Sequence, residues 1–144
     1  MAAVSGDPVA ATTRRRSQAP ILAAVAVGGG LGALARYGLA AAWPAEPGHF
    51  PWATFATNVA GCFLIGVLTV LVTEVFVAHR LVRPFLGVGV LGGFTTFSTY
   101  AVEFTDRLAA GSVGIAFAYL GATLVAALLA VLAGAVVTRR VAAR

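Results

Sequence analysis

Lysine is absent from the 144-residue chain, and only five acidic residues stand against ten arginines. Charged residues make up 10% of the chain and hydrophobic residues 60%, which is far too apolar for a soluble domain of this length. The formal net charge is +5 and the isoelectric point about 10.7. That excess is no nucleic-acid patch, because the arginines gather at the ends of apolar segments. The single cysteine, Cys62, excludes an internal disulfide and any multi-cysteine metal site; within an apolar segment it reads as a small packing residue. The two histidines, His49 and His79, fall in different links expected on opposite membrane faces. No Ser/His/Asp or metal-ligand spacing appears, so no catalytic constellation is visible and the chain does not read as an enzyme. No internal repeat, inter-domain linker or ATP site is apparent.

What is present is a set of four long apolar runs, roughly Pro20–Ala42, Trp52–Val77, Pro84–Phe104 and Gly111–Val137, each long enough to cross a bilayer. The chain reads as one all-α integral membrane domain over residues 20–144, preceded by an arginine-rich tail, residues 1–19, expected to be disordered. Arg14-Arg15-Arg16 before an apolar run resembles a signal peptide. The run is too long for one, carries Arg36, and is followed by further spans. Trp43 and Trp52 flank a turn-rich link, as expected at a membrane interface. Ala78 to Arg83 forms a short basic link, and Thr105-Asp106-Arg107 is expected to open the third link. With four spans, both termini and the second link share one side. That side holds eight arginines against Arg107 and Arg36 elsewhere, which predicts both termini in the cytoplasm.

The chain is organised around Gly92-Gly93-Phe94-Thr95-Thr96-Phe97-Ser98-Thr99-Tyr100. A helix that only spans lipid has no use for a double glycine followed by four hydroxyl residues in five. Glycine weakens helix, and Ser and Thr offer competing hydrogen bonds. The stretch predicts a break in the third helix, and non-helical backbone at membrane depth is tolerated only where protein buries it or where it lines a polar cavity. Close packing through small residues is the plainer alternative.

Each polar residue inside a span requires a reason. Gly28, Gly32 and Arg36 share one helix face; the glycines let another helix approach, while Arg36 either snorkels to the interface or meets an anion or a partner carbonyl. Thr54, Asn58 and Cys62 share a face of the second span. Asn58 serves either as interhelical glue or as a donor into a pore. Tyr119 and Thr123 repeat the spacing in the fourth span, followed by the apolar Ala127. Phe97 and Tyr100, three residues apart, offer ring edges of positive character. Glu103 lies near the end of its span. Donors, ring edges and one arginine, without a paired-carboxylate relay, favour an anion path over a cation path.

Gly29-Gly30-Leu31-Gly32-Ala33-Leu34-Ala35-Arg36-Tyr37, the run from Thr54 to Gly66 around Asn58, and above all the run from Gly92 to Glu103 resemble the Fluc (also called CrcB) fluoride channels. The resemblance covers roughly residues 24–137. It implies two four-helix subunits packed antiparallel in a dual-topology-type dimer, with two fluoride pores and a central Na+ that is structural and not transported. By position, the carbonyls of Gly92 and Thr95 would face that ion. Phe97 and Tyr100 match the pore phenylalanines, Tyr100 being a departure that adds a hydroxyl. Asn58 matches the pore asparagine, and Thr54, Ser98, Tyr119 and Thr123 match polar-track positions. Arg36 and Glu103 match supporting residues, and Ala127 stands where the family often has another hydroxyl. The implied role is passive export of fluoride across the cell membrane.

The arginine bias of eight to two adds an expectation of its own. A chain inserted mainly one way would pair with a homologous subunit of opposite bias, a homodimer being the alternative. Two competing readings are a four-span proton-coupled drug exporter and a non-conducting assembly subunit. The exporter needs a carboxylate in the first span, where this chain has Arg36 and no acid.

Overall fold

The computed structural model describes residues 8–76 and 79–144, the first ten of them by backbone alone. Four helical segments are long and apolar enough to cross a membrane, and the chain is a multi-pass membrane protein. Helix α1 spans Pro8–Ala42 and α2 spans Trp52–Val70, ending in a π-wound turn, Leu71–Val75. Helix α3 comprises the π-wound Arg83–Leu91 and the α-helical Gly92–Phe94; α4 spans Ser98–Ala109 and α5 spans Val113–Ala142. No strand occurs among the described residues.

Of the tail expected over residues 1–19, residues 1–7 lie outside the described part, and from Pro8 the backbone is helical. The helix therefore begins well before Pro20, which lies inside it; alanine and arginine, frequent there, are good helix formers.

Thr105-Asp106-Arg107 is a second difference. These residues do not open a link; they continue α4 to Ala109. The helix stops at Gly111, which takes φ +74°. Ser112 N–H then reaches back to the Arg107 carbonyl at 2.9 Å and Gly111 N–H to that of Leu108 at 3.0 Å, closing the last turn with a left-handed glycine.

Two helix pairs meet backbone to backbone. A Cβ on Gly32 would collide with the carbonyl oxygen of Val90 and lie 2.8 Å from the Phe94 nitrogen, and one on Gly93 would strike the Gly29 carbonyl. Gly28 meets the Phe85–Val90 stretch in the same way, so Gly28, Gly32 and Arg36 do present one face of α1 to α3. On the other side, Gly66 abuts the Val131 carbonyl and Gly134 that of Phe63, joining α2 to α5. Gly92 takes ordinary helical angles, and among the described glycines only Gly48 and Gly111 have positive φ. The Gly92-Gly93 pair thus does not supply unusual backbone angles; Gly93 supplies close approach.

The surface follows from a lipid solvent. Leu124, Leu128 and Leu132, four residues apart along α5, are each more than 60% exposed, and Trp43 and Trp52 are half exposed at the link between α1 and α2. The buried side chains, by contrast, include Thr54, Thr57, Asn58, Arg107, Tyr119 and Thr123. Polar groups buried there have to find partners inside the protein.

Candidate functional site

The site grows from the short stretch between α3 and α4. Thr95 leaves the helix with φ −72° and ψ 154°, and helix resumes at Ser98. An interruption of the helical bonding at a half-buried turn leaves backbone donors and acceptors that have to be satisfied elsewhere. Asn58 on α2 does this for Thr96 on both sides. Its Nδ2–H donates to the Thr96 carbonyl at 2.9 Å, and Thr96 N–H donates to its Oδ1 at 2.8 Å. Thr96 Oγ1 in turn accepts the N–H of Thr99 at 3.2 Å, starting α4.

These bonds free two carbonyls of their usual donors. The N–H of Thr96, which a continuing helix would give to the Gly92 carbonyl, goes to Asn58. The N–H of Thr99, four residues past Thr95, goes to Thr96 Oγ1. The neighbouring Gly93 carbonyl accepts from Arg36 Nε at 3.1 Å. Of the roles open to Arg36, meeting a partner carbonyl is the one its geometry displays.

A row of rings leads away from this turn. Phe97 and Tyr100 lie 5.8 Å apart between centroids, Tyr100 and Tyr119 5.1 Å, and Tyr119 and Phe50 5.3 Å, the last two edge to face. Phe97 is 79% exposed at one end of the row, whereas Tyr100 and Tyr119 are buried. Beside the turn is a cavity of about 250 Å³ lined by Asn58, Cys62, Thr95, Thr96, Phe97, Tyr100, Thr123, Leu124 and Ala127, with no ionised side chain in its wall.

Thr123 is distinctive. Hydroxyls on membrane helices usually bond to a carbonyl of the preceding turn, as those of Thr57, Thr69, Thr95 and Thr138 do at 2.8–3.0 Å. Thr123 Oγ1 is buried without a partner, the one such side-chain atom among the described residues.

Tyr100 departs from phenylalanine by a hydroxyl, and that hydroxyl donates to the Leu120 carbonyl at 2.7 Å. It is tied to α5, leaving the ring to line the cavity. Tyr100→Phe should therefore cost only about 1 kcal/mol of stability, since a single neutral hydrogen bond is lost and the ring remains. Thermal unfolding of the two proteins in the same detergent checks this.

Thr54, Tyr119 and Glu103 form a second polar cluster. The Glu103 carboxylate accepts from Thr54 Oγ1 at 3.0 Å and from Tyr119 Oη at 2.8 Å, so it is engaged inside the bundle. Ser98 is exposed, with its Oγ 3.3 Å from Thr96 Oγ1, and does not line the cavity. Arg36 and Thr54 line a separate cavity of about 310 Å³ on the α1 side.

One residue of this region escaped the sequence reading. Arg107 is 5% exposed. Its Nε donates to the His49 carbonyl at 2.7 Å and its Nη1 to the Glu103 carbonyl at 2.7 Å, and its guanidinium lies 5.8 Å from the centre of the Tyr119 ring. The available signal was its spacing, four residues past Glu103 with no helix stop before Gly111.

Residues 23–135 match the family described as CrcB-like protein, Camphor Resistance (CrcB). The chain is 60% identical over 114 residues to a protein of Nocardia farcinica called fluoride-specific ion channel FluC 2, covering 79% of this chain and 81% of the relative. It is 58% identical over 123 residues to FluC 2 of Streptomyces avermitilis, covering 83% and 78%. With FluC 1 of Streptomyces coelicolor the identity is 57% over 126 residues, covering 88% and 82%.

Proposed function

The chain belongs to the CrcB family, a family of fluoride channels and not of enzymes, and from that premise we propose that it conducts fluoride passively out of the cell. The observation that carries this reading is the uncharged cavity beside the α3–α4 turn. Two aromatic rings and an unpartnered hydroxyl meet there. Fluoride is small and strongly hydrated, so a path for it must replace water with donors and positive ring edges while binding weakly enough to release. Asn58 has a second N–H beyond the one given to Thr96, and Thr123 has its hydroxyl. Together with the edges of Phe97 and Tyr100 they form a donor set without a full charge. Thr54, Ser98 and Tyr119 extend the polar track, with Arg36 and Glu103 in support. The turn then serves as an interruption at membrane depth that opens the path.

The second subunit enters through Phe97, whose ring is 79% exposed among the described residues. An antiparallel dimer would bury it. The eight-to-two arginine bias favours a homologous partner inserted the other way, with this chain's termini in the cytoplasm of a cell-membrane protein. Streptomyces avermitilis has relatives called FluC 2 and FluC 3, so more than one such chain occurs in one organism. The carbonyls of Gly92 and Thr95, relieved of helical donors, suit a hard cation, which prefers oxygen ligands. They would hold a structural Na+ at the centre of the dimer, where its charge lowers the cost of a nearby anion.

The test is fluoride efflux from liposomes followed with an electrode, with chloride as control. Fluoride-selective efflux is expected, from this chain alone or after co-reconstitution with a homologue of opposite arginine bias. Efflux from neither preparation, or equal efflux of chloride, would overturn the reading.

A further inference from the structure

We propose that a second cavity, where the end of α4 meets the α1–α2 link, is a mouth of the ion path, and that Arg107 is its specificity-determining residue: a buried positive charge that offsets the Glu103 carboxylate and lets a small hydrated anion enter. The inference rests on the channel reading above and answers a difficulty within it. Glu103 accepts from Thr54 and Tyr119 beside the row of rings, and so sets a negative charge against any anion that passes. Like charges a few ångströms apart repel strongly where water is scarce.

Arg107 stands one turn past Glu103 on α4 and is buried. Its partners are two backbone carbonyls, reached through Nε and Nη1, and the Tyr119 ring; Nη2 makes no hydrogen bond among the described residues. No carboxylate lies within 4 Å of it either: the ion pairs among the described residues are Glu74–Arg139 and, when His49 is protonated, Glu46–His49. A buried guanidinium without a contacting acid is costly. A clasp on the His49 and Glu103 carbonyls needs only N–H donors, which a neutral amide side chain also has. The charge itself therefore points to a counter-ion that comes and goes.

Arg107 lines a cavity of about 430 Å³ together with Glu46, Glu103 and Asp106. Glu46 and Asp106 are exposed, so water and salt screen them, whereas the buried Arg107 charge is screened far less. The row of rings runs to the same place. The guanidinium lies against Tyr119, and the carbonyl that Arg107 holds belongs to His49, next to Phe50 at the far end of the row. An anion leaving the rings here meets Glu103, which weakens its hold, and Arg107, which restores it. Near balance between the two lets it both enter and leave.

Initial fluoride efflux is measured against internal fluoride concentration in liposomes, on the preparation that conducts, with chloride as control. Arg107→Gln keeps a donor and removes the charge. Its half-saturating fluoride concentration should rise about ten-fold, while efflux at saturating fluoride stays within about three-fold of the parent. Arg107→Lys keeps the charge and should stay within about three-fold of the parent in both respects. The double variant Arg107→Gln with Glu103→Gln carries neither charge and should return to the parent's half-saturating concentration. A purely structural role would instead lower maximal efflux and thermal stability in the Lys and Gln variants alike, and that result overturns the proposal. So does an unchanged half-saturating concentration in Arg107→Gln. If Arg107→Gln does not fold, Glu103→Gln alone is read. Its amide can still accept from one hydroxyl and donate to the other, and the guanidinium left uncompensated should lower the half-saturating concentration about ten-fold. A rise, or no change, overturns the proposal. Absence of efflux from the parent would sink the channel reading itself, and this inference with it.

Discussion

Asn58→Leu should abolish fluoride efflux and lower the thermal stability of the purified protein. Asn58 is 9% exposed and its amide satisfies both the N–H and the carbonyl of Thr96. Leucine has similar bulk but neither donor nor acceptor, so both backbone groups would lose their partner at a half-buried turn. At about 1–3 kcal/mol for each unsatisfied group, the cost is roughly 2–6 kcal/mol, a large share of the stability of a small protein. The Thr95–Phe97 turn would lose its tether to α2 and Phe97 its fixed place in the ring row. Asn58→Asp separates the two halves of the effect. Its carboxylate still accepts from Thr96 N–H but cannot donate to the carbonyl and sets a charge beside it, so it should destabilise as well and conduct poorly. Thermal unfolding in detergent together with liposome efflux measures both. A stable, conducting Asn58→Leu protein would show that the turn does not depend on this amide.

Gly32→Val should prevent accumulation of folded protein, while Gly30→Ala should be silent or slightly stabilising. The two positions lie two residues apart on α1, yet a Cβ at Gly32 would meet the Val90 carbonyl and the Phe94 nitrogen, and one at Gly30 would meet nothing within 4 Å. Overpacking usually costs about 1–3 kcal/mol because neighbouring side chains give way. Here the neighbour is backbone, which cannot. The whole α1–α3 contact would have to open, and with it the bond from Arg36 to Gly93. At Gly30 the only change is helix propensity, worth up to about 1 kcal/mol in alanine's favour. Yield of monodisperse protein from matched expressions distinguishes the two. Equal yields would mean that the close α1–α3 approach is not required for folding.

Much of this arrangement was legible because lipid imposes simple rules. Apolar runs of sufficient length gave the four spans, and the i, i+4, i+8 spacing of Gly28, Gly32 and Arg36 placed them on one face, which packs on α3. Thr54, Tyr119 and Glu103 were marked by their cost in a membrane but not by their mutual bonds. Those bonds depend on how α2, α4 and α5 pack, a long-range fact. Arg107 was hidden because a charged residue near a span end normally reaches solvent. Its burial depends on the link carbonyl of His49, 58 residues away, which no local pattern encodes. The π-winding of Arg83–Leu91 likewise has no periodic signature in so apolar a stretch.

The glycine contacts bear on stiffness. Helices α1 and α3 touch through main-chain atoms, as do α2 and α5, while α4 is held to α5 by the Tyr100–Leu120 and Tyr119–Glu103 bonds. Neither of the two main-chain contacts can yield by a change of rotamer. The polypeptide crosses from one unit to the other between Phe94 and Ser98, and the Asn58–Thr96 bonds are the stitch across that seam. The cavity is walled by this turn and by α2, α4 and α5, so the segment that the stitch holds is itself one of its walls. On heating, loss of the two Asn58–Thr96 bonds should therefore release that wall while the glycine contacts still hold the helix pairs together.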